Sequence, residues 1–206
     1  MTWKKQSIKI DKHHSTGDPK LSFKEKVEWC IEQHRSTNHL YDGKPYTEHL
    51  SAVVATGGHF IDLLHTSILE PEEYSIKELN EIIILSCMAH DTIEDTRVTY
   101  NDVKKVLGVQ VADIVYALTN EKGKTREERA NDKYYSGIRN TPYATYVKLC
   151  DRIANVEYSV NTKSSMLKVY KKENKKFMEQ LGYTGESEHQ YEPMFRYLCR
   201  LLGESK

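Results

Sequence analysis

Apolar residues recur along most of this chain at the spacing of amphipathic α-helices, three or four positions apart. Three helix starts are marked by a capping box, in which a serine or threonine is followed three positions later by an acidic residue. These boxes begin at Ser22, Ser75 and Thr99. No segment of any length alternates between apolar and polar residues as a half-buried strand would. The pattern therefore predicts an all-α fold, a bundle of amphipathic helices.

Turn-forming and capping residues predict where individual helices begin and end. The first core helix, opened by Ser22, is predicted to run to about His39, and a turn follows over residues 41–45. Thr47 is placed to cap the second helix, and Gly57-Gly58 would interrupt or end it. These signals divide the apolar pattern into separate helices.

Two polar segments stand apart from the helical pattern. Residues 1–20 show neither helical nor strand periodicity and are predicted to form an N-terminal arm, whereas residues 21–206 are predicted to fold as a single domain ending in helices. The segment from Thr119 to about Asn140 is strongly charged, which most often marks a solvated face or loop. Its lysines and arginines are also the first place to look for contacts to a phosphate.

Composition narrows the class of protein and of partner. The 30 lysines and arginines balance the 30 acidic residues, so net charge gives no reason to expect a nucleic-acid polymer or an anionic membrane as a partner. The four cysteines are widely spaced within apolar segments, as is typical of buried thiols in a reducing compartment. No stretch approaches the ~20 apolar residues that span a bilayer, and the N-terminus lacks a signal-peptide core. We expect a soluble cytoplasmic protein, and the sequence leaves a monomer and a homo-oligomer open.

The strongest chemical signal is a histidine and three carboxylates at the end of a buried segment. The apolar run 82–88 leads into His90-Asp91, and Glu94-Asp95 follows one helical turn later. On a continuous helix, positions four apart share a face, so His90 would stand over Glu94 and Asp91 over Asp95. Carboxylates placed so closely repel one another, which indicates either a solvated helix end or a bound metal ion. Because the apolar run that leads into the pair is predicted to be buried, a bound metal ion is favoured over a solvated helix end.

Two further residues are candidate metal ligands only if they lie near the His90-Asp91 pair. His49 falls on the inward face of the second helix, where a lone histidine is more often a satisfied core residue than a ligand. Asp151 belongs to a polar stripe with Lys148 and Asn155 on an otherwise apolar helix, and an isolated aspartate there would pair with a neighbouring base at the surface. Beside a buried His-Asp pair, each becomes a candidate metal ligand.

Three strings of residues, taken together, resemble a known family. They are Pro45-Tyr46-Thr47-Glu48-His49, Ala89-His90-Asp91-Thr92-Ile93-Glu94-Asp95-Thr96 and Lys148-Leu149-Cys150-Asp151-Arg152-Ile153-Ala154-Asn155. The set resembles the HD superfamily of metal-dependent phosphohydrolases, and more narrowly the hydrolase domain of the RelA/SpoT group with its small stand-alone members. The similarity spans roughly residues 23–177. It implies an all-α HD-domain helical bundle.

The resemblance implies a metal site with catalytic acids beside it. A single divalent ion, usually manganese in this family, would be held by His49, His90, Asp91 and Asp151. Nitrogen and oxygen ligands also suit zinc, iron or magnesium. Glu94 and Asp95 would orient and deprotonate the attacking water, one turn from the ligands. Asn155 would steady the metal site or the substrate.

The same resemblance implies contacts to a nucleotide substrate. Arg126 and Arg129 fall where the family supplies cations to distal phosphates, Lys148 adds a further cation, and Tyr170 falls where the family packs against the nucleoside. The implied activity is hydrolysis of guanosine 3′,5′-bis(diphosphate), ppGpp, or its pentaphosphate relative pppGpp, with release of the 3′-pyrophosphate.

Departures from the family pattern keep other functions open. Stand-alone members usually carry a basic Arg-Lys-Asp segment shortly before the Pro-Tyr pair, where this chain has residues 36–41, and Met166 replaces an arginine. An alternative substrate is another nucleotide, such as NADPH with its 2′-phosphate or a nucleotide polyphosphate. A non-catalytic metal- or nucleotide-sensing module is disfavoured, because sensing has no chemical need for Glu94 and Asp95.

Overall fold

The computed structural model describes residues 17–65, 74–185 and 189–204, and within them helices dominate. The strands among these residues form one two-stranded antiparallel hairpin, β1 Leu40–Tyr41 and β2 Lys44–Pro45, at the turn predicted over residues 41–45. The helices are α1 Phe23–Ser36, α2 Thr47–His59, α3 Asp62–His65, α4 Ile76–Ala89, α5 Thr92–Asp95, α6 Tyr100–Leu107, α7 Val109–Leu118, α8 Arg126–Arg129, α9 Asp132–Asn140, α10 Ala144–Asn161, α11 Met166–Gln180 and α12 Glu192–Leu201. The predicted all-α class is confirmed.

The helix starts read from capping boxes are correct, whereas the one read from Thr47 is wrong. Reciprocal side-chain and backbone hydrogen bonds close boxes at Ser22, Ser75 and Thr99, ahead of α1, α4 and α6. Thr47 is instead the first residue of α2, and Tyr46 precedes it without a side-chain cap. A box at Thr125 also opens α8 inside the charged segment, which contains α8 and α9 rather than being loop throughout.

Gly57-Gly58 neither interrupts nor ends α2, which continues to His59. The reason is close packing in the middle of the bundle. A Cβ atom at Gly57 would lie 3.3 Å from the Cys87 sulfur on α4 and 3.7 Å from the Cys150 sulfur on α10. The Gly57 carbonyl also accepts a hydrogen bond from the Tyr146 hydroxyl of α10. The missing side chain thus lets α2 approach both helices that carry the site.

The core of the bundle is formed where α2, α4, α7 and α10 pack together. Its fully buried side chains include Leu50, Ile83, Ile114 and Ile153. All four cysteines are free and buried, as the sequence predicts. Among the described residues no helix is both long and apolar enough to cross a membrane.

The chain reverses direction sooner after α1 than predicted, because α1 ends at Ser36 rather than near His39. Asn38 adopts a left-handed conformation with φ 50°, and the His39 N–H donates to the His34 carbonyl at 3.0 Å. This turn places the His39 ring against Tyr46, with ring centroids 3.9 Å apart. Of the predicted arm, residues 1–16 lie outside the described residues, and the single-domain assignment stays a prediction.

Candidate metal and catalytic site

A break between α4 and α5 delivers the His-Asp pair. The α4 helix ends at Ala89, His90 follows as its cap, and Asp91 precedes the first residue of α5. The prediction of one continuous helix, with His90 over Glu94, is therefore wrong. The Thr92 hydroxyl donates to the Ala89 carbonyl at 2.6 Å, so a side chain satisfies a carbonyl that the broken helix leaves free.

Three ligand atoms from three helices converge at this break. The His49 Nε2 atom of α2 lies 3.4 Å from His90 Nε2 and 3.4 Å from Asp151 Oδ1 of α10. His90 Nε2 lies 3.8 Å from the same Asp151 oxygen. Donors bonded at about 2.1 Å to one ion stand ~3.0–3.4 Å apart, so small adjustments bring this set to a common centre. Both histidines are buried.

The surrounding hydrogen bonds orient these atoms towards a common point. The Cys87 carbonyl only accepts hydrogen bonds, so His90 Nδ1 donates to it at 2.9 Å and Nε2 is the His90 atom that faces His49 and Asp151. Burial opposes the His90 charge, but Asp91 raises the pKa of the ring to about 9, so without an ion Nε2 also carries a proton, which a bound cation would displace. Asp151 receives the Lys148 ammonium at 3.0 Å and the Asn155 side-chain amide. Burial opposes ionisation of Asp151, but Lys148 and both histidines hold its pKa well below its usual range. The donor set therefore fits a divalent ion.

Asp91 lies beside the three-residue set rather than within it. Its Oδ2 atom is 2.9 Å from His90 Nε2 and accepts a hydrogen bond from the Tyr46 hydroxyl. Burial works against the Asp91 charge, but neighbouring His90 lowers the pKa of this carboxyl to about 2. The carboxylate is therefore ionised and directed at the ligand nitrogen of His90.

The two acids after the pair differ in their surroundings. Glu94 accepts two hydrogen bonds from the Asn120 side-chain amide, at 2.7 and 3.0 Å, and one from the Asn120 backbone N–H at 3.2 Å. Asp95 has no such clamp among the described residues, and burial together with the Asp91 and Glu94 charges raises its pKa to about 7. His39 Nε2 lies 3.8 Å from Asp95. One acid is held in place, and the other exchanges a proton near neutral pH.

A cleft of about 890 Å³ opens over these groups. One wall is basic and aromatic. Glu173 joins two arginines, at 2.9 Å from Arg126 Nε and 3.4 Å from Arg152 Nη1. The Arg152 guanidinium lies 4.8 Å from the centroid of the Tyr170 ring. The residues that line the cleft and bear on the predictions are His49, Asp91, Glu94, Asp95, Arg126, Arg129, Lys148, Asp151, Asn155 and Tyr170.

Every residue predicted for the site thus lies at the cleft except His90, which is buried beneath it within contact of His49 and Asp151. Lys148 differs from its predicted role in its contacts. Its side chain is 18% exposed and its ammonium contacts the Asp151 carboxylate at 3.0 Å, so it stabilises a candidate ligand, and its contact with a substrate stays a prediction. Arg126 and Arg129 are exposed.

Comparison with known proteins adds relatives with a common activity. No protein-family model matches the sequence. The guanosine-3′,5′-bis(diphosphate) 3′-pyrophosphohydrolase MESH1 of Danio rerio is 26% identical over 133 residues, 64% of this chain and 66% of that protein. MESH1 of Mus musculus is 32% identical over 79 residues, 38% of this chain and 44% of that protein. The guanosine-3′,5′-bis(diphosphate) 3′-pyrophosphohydrolase of Aquifex aeolicus is 35% identical over 77 residues, 36% of this chain and 11% of that protein. The matches span less than two thirds of each relative.

The structural comparison covers nearly the whole chain. A solved structure of a metazoan ortholog of SpoT that hydrolyzes ppGpp matches with a TM-score of 0.61 at 19% identity, over 88% of this chain and 95% of that chain. The fold is that of the HD-type RelA/SpoT-like hydrolases. The resemblance and the HD-domain class inferred from sequence are confirmed.

The HD-type fold also brings in residues that sequence reasoning gave no role. Tyr46 lies in the Pro-Tyr string and bonds Asp91, and Asn120 clamps Glu94 from 26 positions away. Tyr41 donates to Asn155, and Arg152 joins the basic wall. The motif strings contain Tyr46 and Arg152, so the sequence offered a signal for these two residues. Nothing local in the sequence marks Asn120 or Tyr41.

Proposed function

We propose that this chain is a metal-dependent hydrolase that removes the 3′-pyrophosphate from ppGpp and pppGpp. The observation that carries the proposal is the convergence of His49, His90 and Asp151 at a cleft that Arg126 and Tyr170 also line. A cation site beside guanidinium groups suits a nucleotide carrying several phosphates. The curated relatives, named for this reaction, support the same substrate.

His49, His90, Asp91 and Asp151 are the residues we assign to one divalent ion, with Mn²⁺ as first choice over Zn²⁺, Fe²⁺ or Mg²⁺. Such an ion would supply a lowered water pKa and a polarised phosphoryl oxygen. The chain itself supplies four donor groups for the ion, two histidine nitrogens and two aspartate carboxylates, in a largely buried position. Lys148, Asn155 and Tyr46 hold the two aspartates.

The acids divide the proton chemistry between them. Water adds across the ester bond between the ribose 3′ oxygen and its phosphorus, so the hydroxyl joins phosphorus and a proton reaches the 3′ oxygen. Glu94, fixed by Asn120, orients the water, and Asp95, whose pKa of about 7 suits transfer in both directions, accepts and returns the proton. Asn155 steadies Asp151 during the reaction.

The cleft wall holds the nucleotide. Arg126 and Arg129 are exposed and contact the phosphates, and Tyr170 packs against the nucleoside. We place the enzyme in the cytoplasm, where its free buried thiols stay reduced. A small nucleotide, rather than a nucleic-acid polymer or membrane, is the proposed partner, and self-association of the chain stays open.

NADPH is a second candidate substrate, because Tyr41 lines the cleft from the segment that lacks the family's basic residues. This segment offers an aromatic ring and a hydroxyl bonded to Asn155, with no cation of its own between Ser36 and Tyr41 apart from His39. The 2′-phosphate of NADPH would sit on the ribose position next to the 3′ position that carries the pyrophosphate in ppGpp. The basic wall with Arg126 would still be available to it.

The test of the metal-dependent reaction is removal and return of the ion. Chelator treatment of the wild-type protein should abolish pyrophosphate release from ppGpp, and added Mn²⁺ should restore it. Asp91→Ala should bind less metal and stay inactive at the same Mn²⁺ concentration. Full activity in the chelated protein, or in Asp91→Ala, would overturn the assignment. A Lys163→Gln variant, whose residue does not line the cleft, provides the control.

A further inference from the structure

We propose that Tyr41 is a positioning residue for the metal site, fixing Asp151 through the Asn155 amide and fixing His49 through ring stacking. Tyr41 belongs to the hairpin and lies in none of the three motif strings. The inference rests on the metal site of the proposed function. It assigns to the hairpin a role in metal binding.

The Tyr41 hydroxyl holds the Asn155 amide in the orientation that Asp151 requires. It donates to Asn155 Oδ1 at 2.7 Å, on the side of the amide opposite the nitrogen. That nitrogen donates to the Asp151 side-chain carboxylate and, at 3.0 Å, to the Asp151 backbone carbonyl. A flipped amide would set its oxygen against the carboxylate, which repels it. Burial raises the pKa of the Tyr41 phenol well above its ordinary value, so the hydroxyl remains a donor.

The ring of Tyr41 acts on a second candidate ligand. It stacks on the His49 imidazole with centroids 4.7 Å apart and planes 11° apart. This near-parallel packing limits rotation of the imidazole, whose Nε2 atom must face His90 and Asp151 to share an ion with them. One side chain therefore restrains ligands on two helices, α2 and α10.

The hairpin also meets α10 at a second contact, separate from the Tyr41–Asn155 bond. Asp42 and Gly43, with φ of 51° and 77°, make the tight turn between the strands. The Asp42 carboxylate accepts a hydrogen bond from the Tyr158 hydroxyl at 2.7 Å, which ties the hairpin to α10. Tyr158 lies three residues beyond Asn155 on α10, and it does not line the cleft.

Tyr158 therefore supplies a matched control. Tyr41→Phe and Tyr158→Phe each remove one phenolic hydroxyl that joins the hairpin to α10. Only Tyr41→Phe removes a hydrogen bond that leads to a metal ligand. Loss of an outer hydrogen bond to a ligand weakens metal affinity about 10- to 100-fold. We expect that loss in Tyr41→Phe, and a change of less than about twofold in Tyr158→Phe.

The measurement is Mn²⁺ affinity, read from the electron paramagnetic resonance signal of free Mn²⁺ in a titration without substrate. The thermal midpoint of the metal-free proteins checks that both variants fold. Unchanged Mn²⁺ affinity in Tyr41→Phe, or an equal loss in Tyr158→Phe, would overturn the role of Tyr41 while leaving the metal site standing. A wild-type protein that binds no Mn²⁺, Zn²⁺ or Fe²⁺ would overturn the metal site and the inference together.

A double-mutant cycle tests the path through the amide. In an Asn155→Ala background the Tyr41 hydroxyl has no amide to orient. Tyr41→Phe should then cause little further loss of Mn²⁺ affinity, so the two effects should be strongly non-additive. Simple addition of the two losses would show that Tyr41 acts without Asn155, contrary to the proposal.

Discussion

Residues that appear equivalent in the sequence acquire different roles from their neighbours. Glu94 and Asp95 are adjacent acids, yet Asn120 clamps only Glu94, and Asp95 has the pKa raised to about 7. The same holds for Lys148, a cation whose ammonium contacts Asp151, a candidate metal ligand. Distant contacts, rather than residue type, decide what each group does.

At this scale we predict that Glu94→Gln spares metal binding and loses turnover. The amide keeps an oxygen for the Asn120 bond, but it replaces the carboxylate that orients the attacking water with a neutral group, so kcat should fall about 100-fold or more. Mn²⁺ affinity and kcat, measured on the same preparation, provide the check. Isosteric Glu32→Gln, at an exposed residue of α1 that does not line the cleft, provides the control. A metal-free Glu94→Gln protein would contradict this separation of roles.

At the scale of elements, α11 contributes a charged face to the cleft. Lys168, Lys172 and Lys176 recur four residues apart and line it, whereas Lys171 and Lys175 do not. Lys176 pairs with Glu127. Lys168 and Lys172 have no ion-pair partner among the residues that the structure describes. This face is therefore available to an anionic substrate.

We predict that the double variant Lys168→Gln, Lys172→Gln raises KM for ppGpp about two- to thirtyfold, since each exposed charge contact contributes roughly 0.2–1 kcal/mol. Because the lysines would contact the substrate away from the reacting bond, kcat should change little. Lys171→Gln with Lys175→Gln removes equal charge from the other face and should leave KM near the wild-type value. Equal effects of the two pairs on KM would rule out a specific contribution of the cleft-facing lysines.

For the molecule as a whole, the spacing of residues close in the sequence was enough to predict the fold class but not the arrangement of the site. The capping boxes at Ser22, Ser75 and Thr99 depend on residues three apart, so the sequence shows them directly. At the break after Ala89 the Thr92 hydroxyl replaces a helical hydrogen bond, and a run of apolar residues does not reveal it. The Tyr41–Asn155 bond joins residues 114 positions apart and requires the folded bundle.

Stability of the whole fold should depend on pH through His34. Burial holds the pKa of this histidine down to about 4, and it is 1% exposed within a stack with His39 and Tyr46. The neutral form is therefore favoured in the fold. The contribution of neutral His34 to the free energy of unfolding is complete above the unfolded-state pKa of ~6.5. It is lost as pH falls from there towards 4, by about 3 kcal/mol in total.

Urea unfolding of the wild type and His34→Phe at pH 7.5 and 4.5 checks this prediction. Phenylalanine keeps an aromatic ring in the stack and removes the titrating group. The free energy of unfolding should fall less with acid in His34→Phe, by about 2–3 kcal/mol. An identical fall in both proteins would show that His34 does not contribute to the acid sensitivity.

The central claim is that the ligand cluster and the basic wall together hydrolyse a guanosine 3′-pyrophosphate. The most direct test supplies the Mn²⁺-loaded protein with ppGpp and, separately, NADPH, and measures released pyrophosphate and phosphate in each. We expect one pyrophosphate and one GDP per ppGpp consumed, with a much lower kcat/KM for NADPH. Phosphate release from NADPH without pyrophosphate release from ppGpp would contradict it.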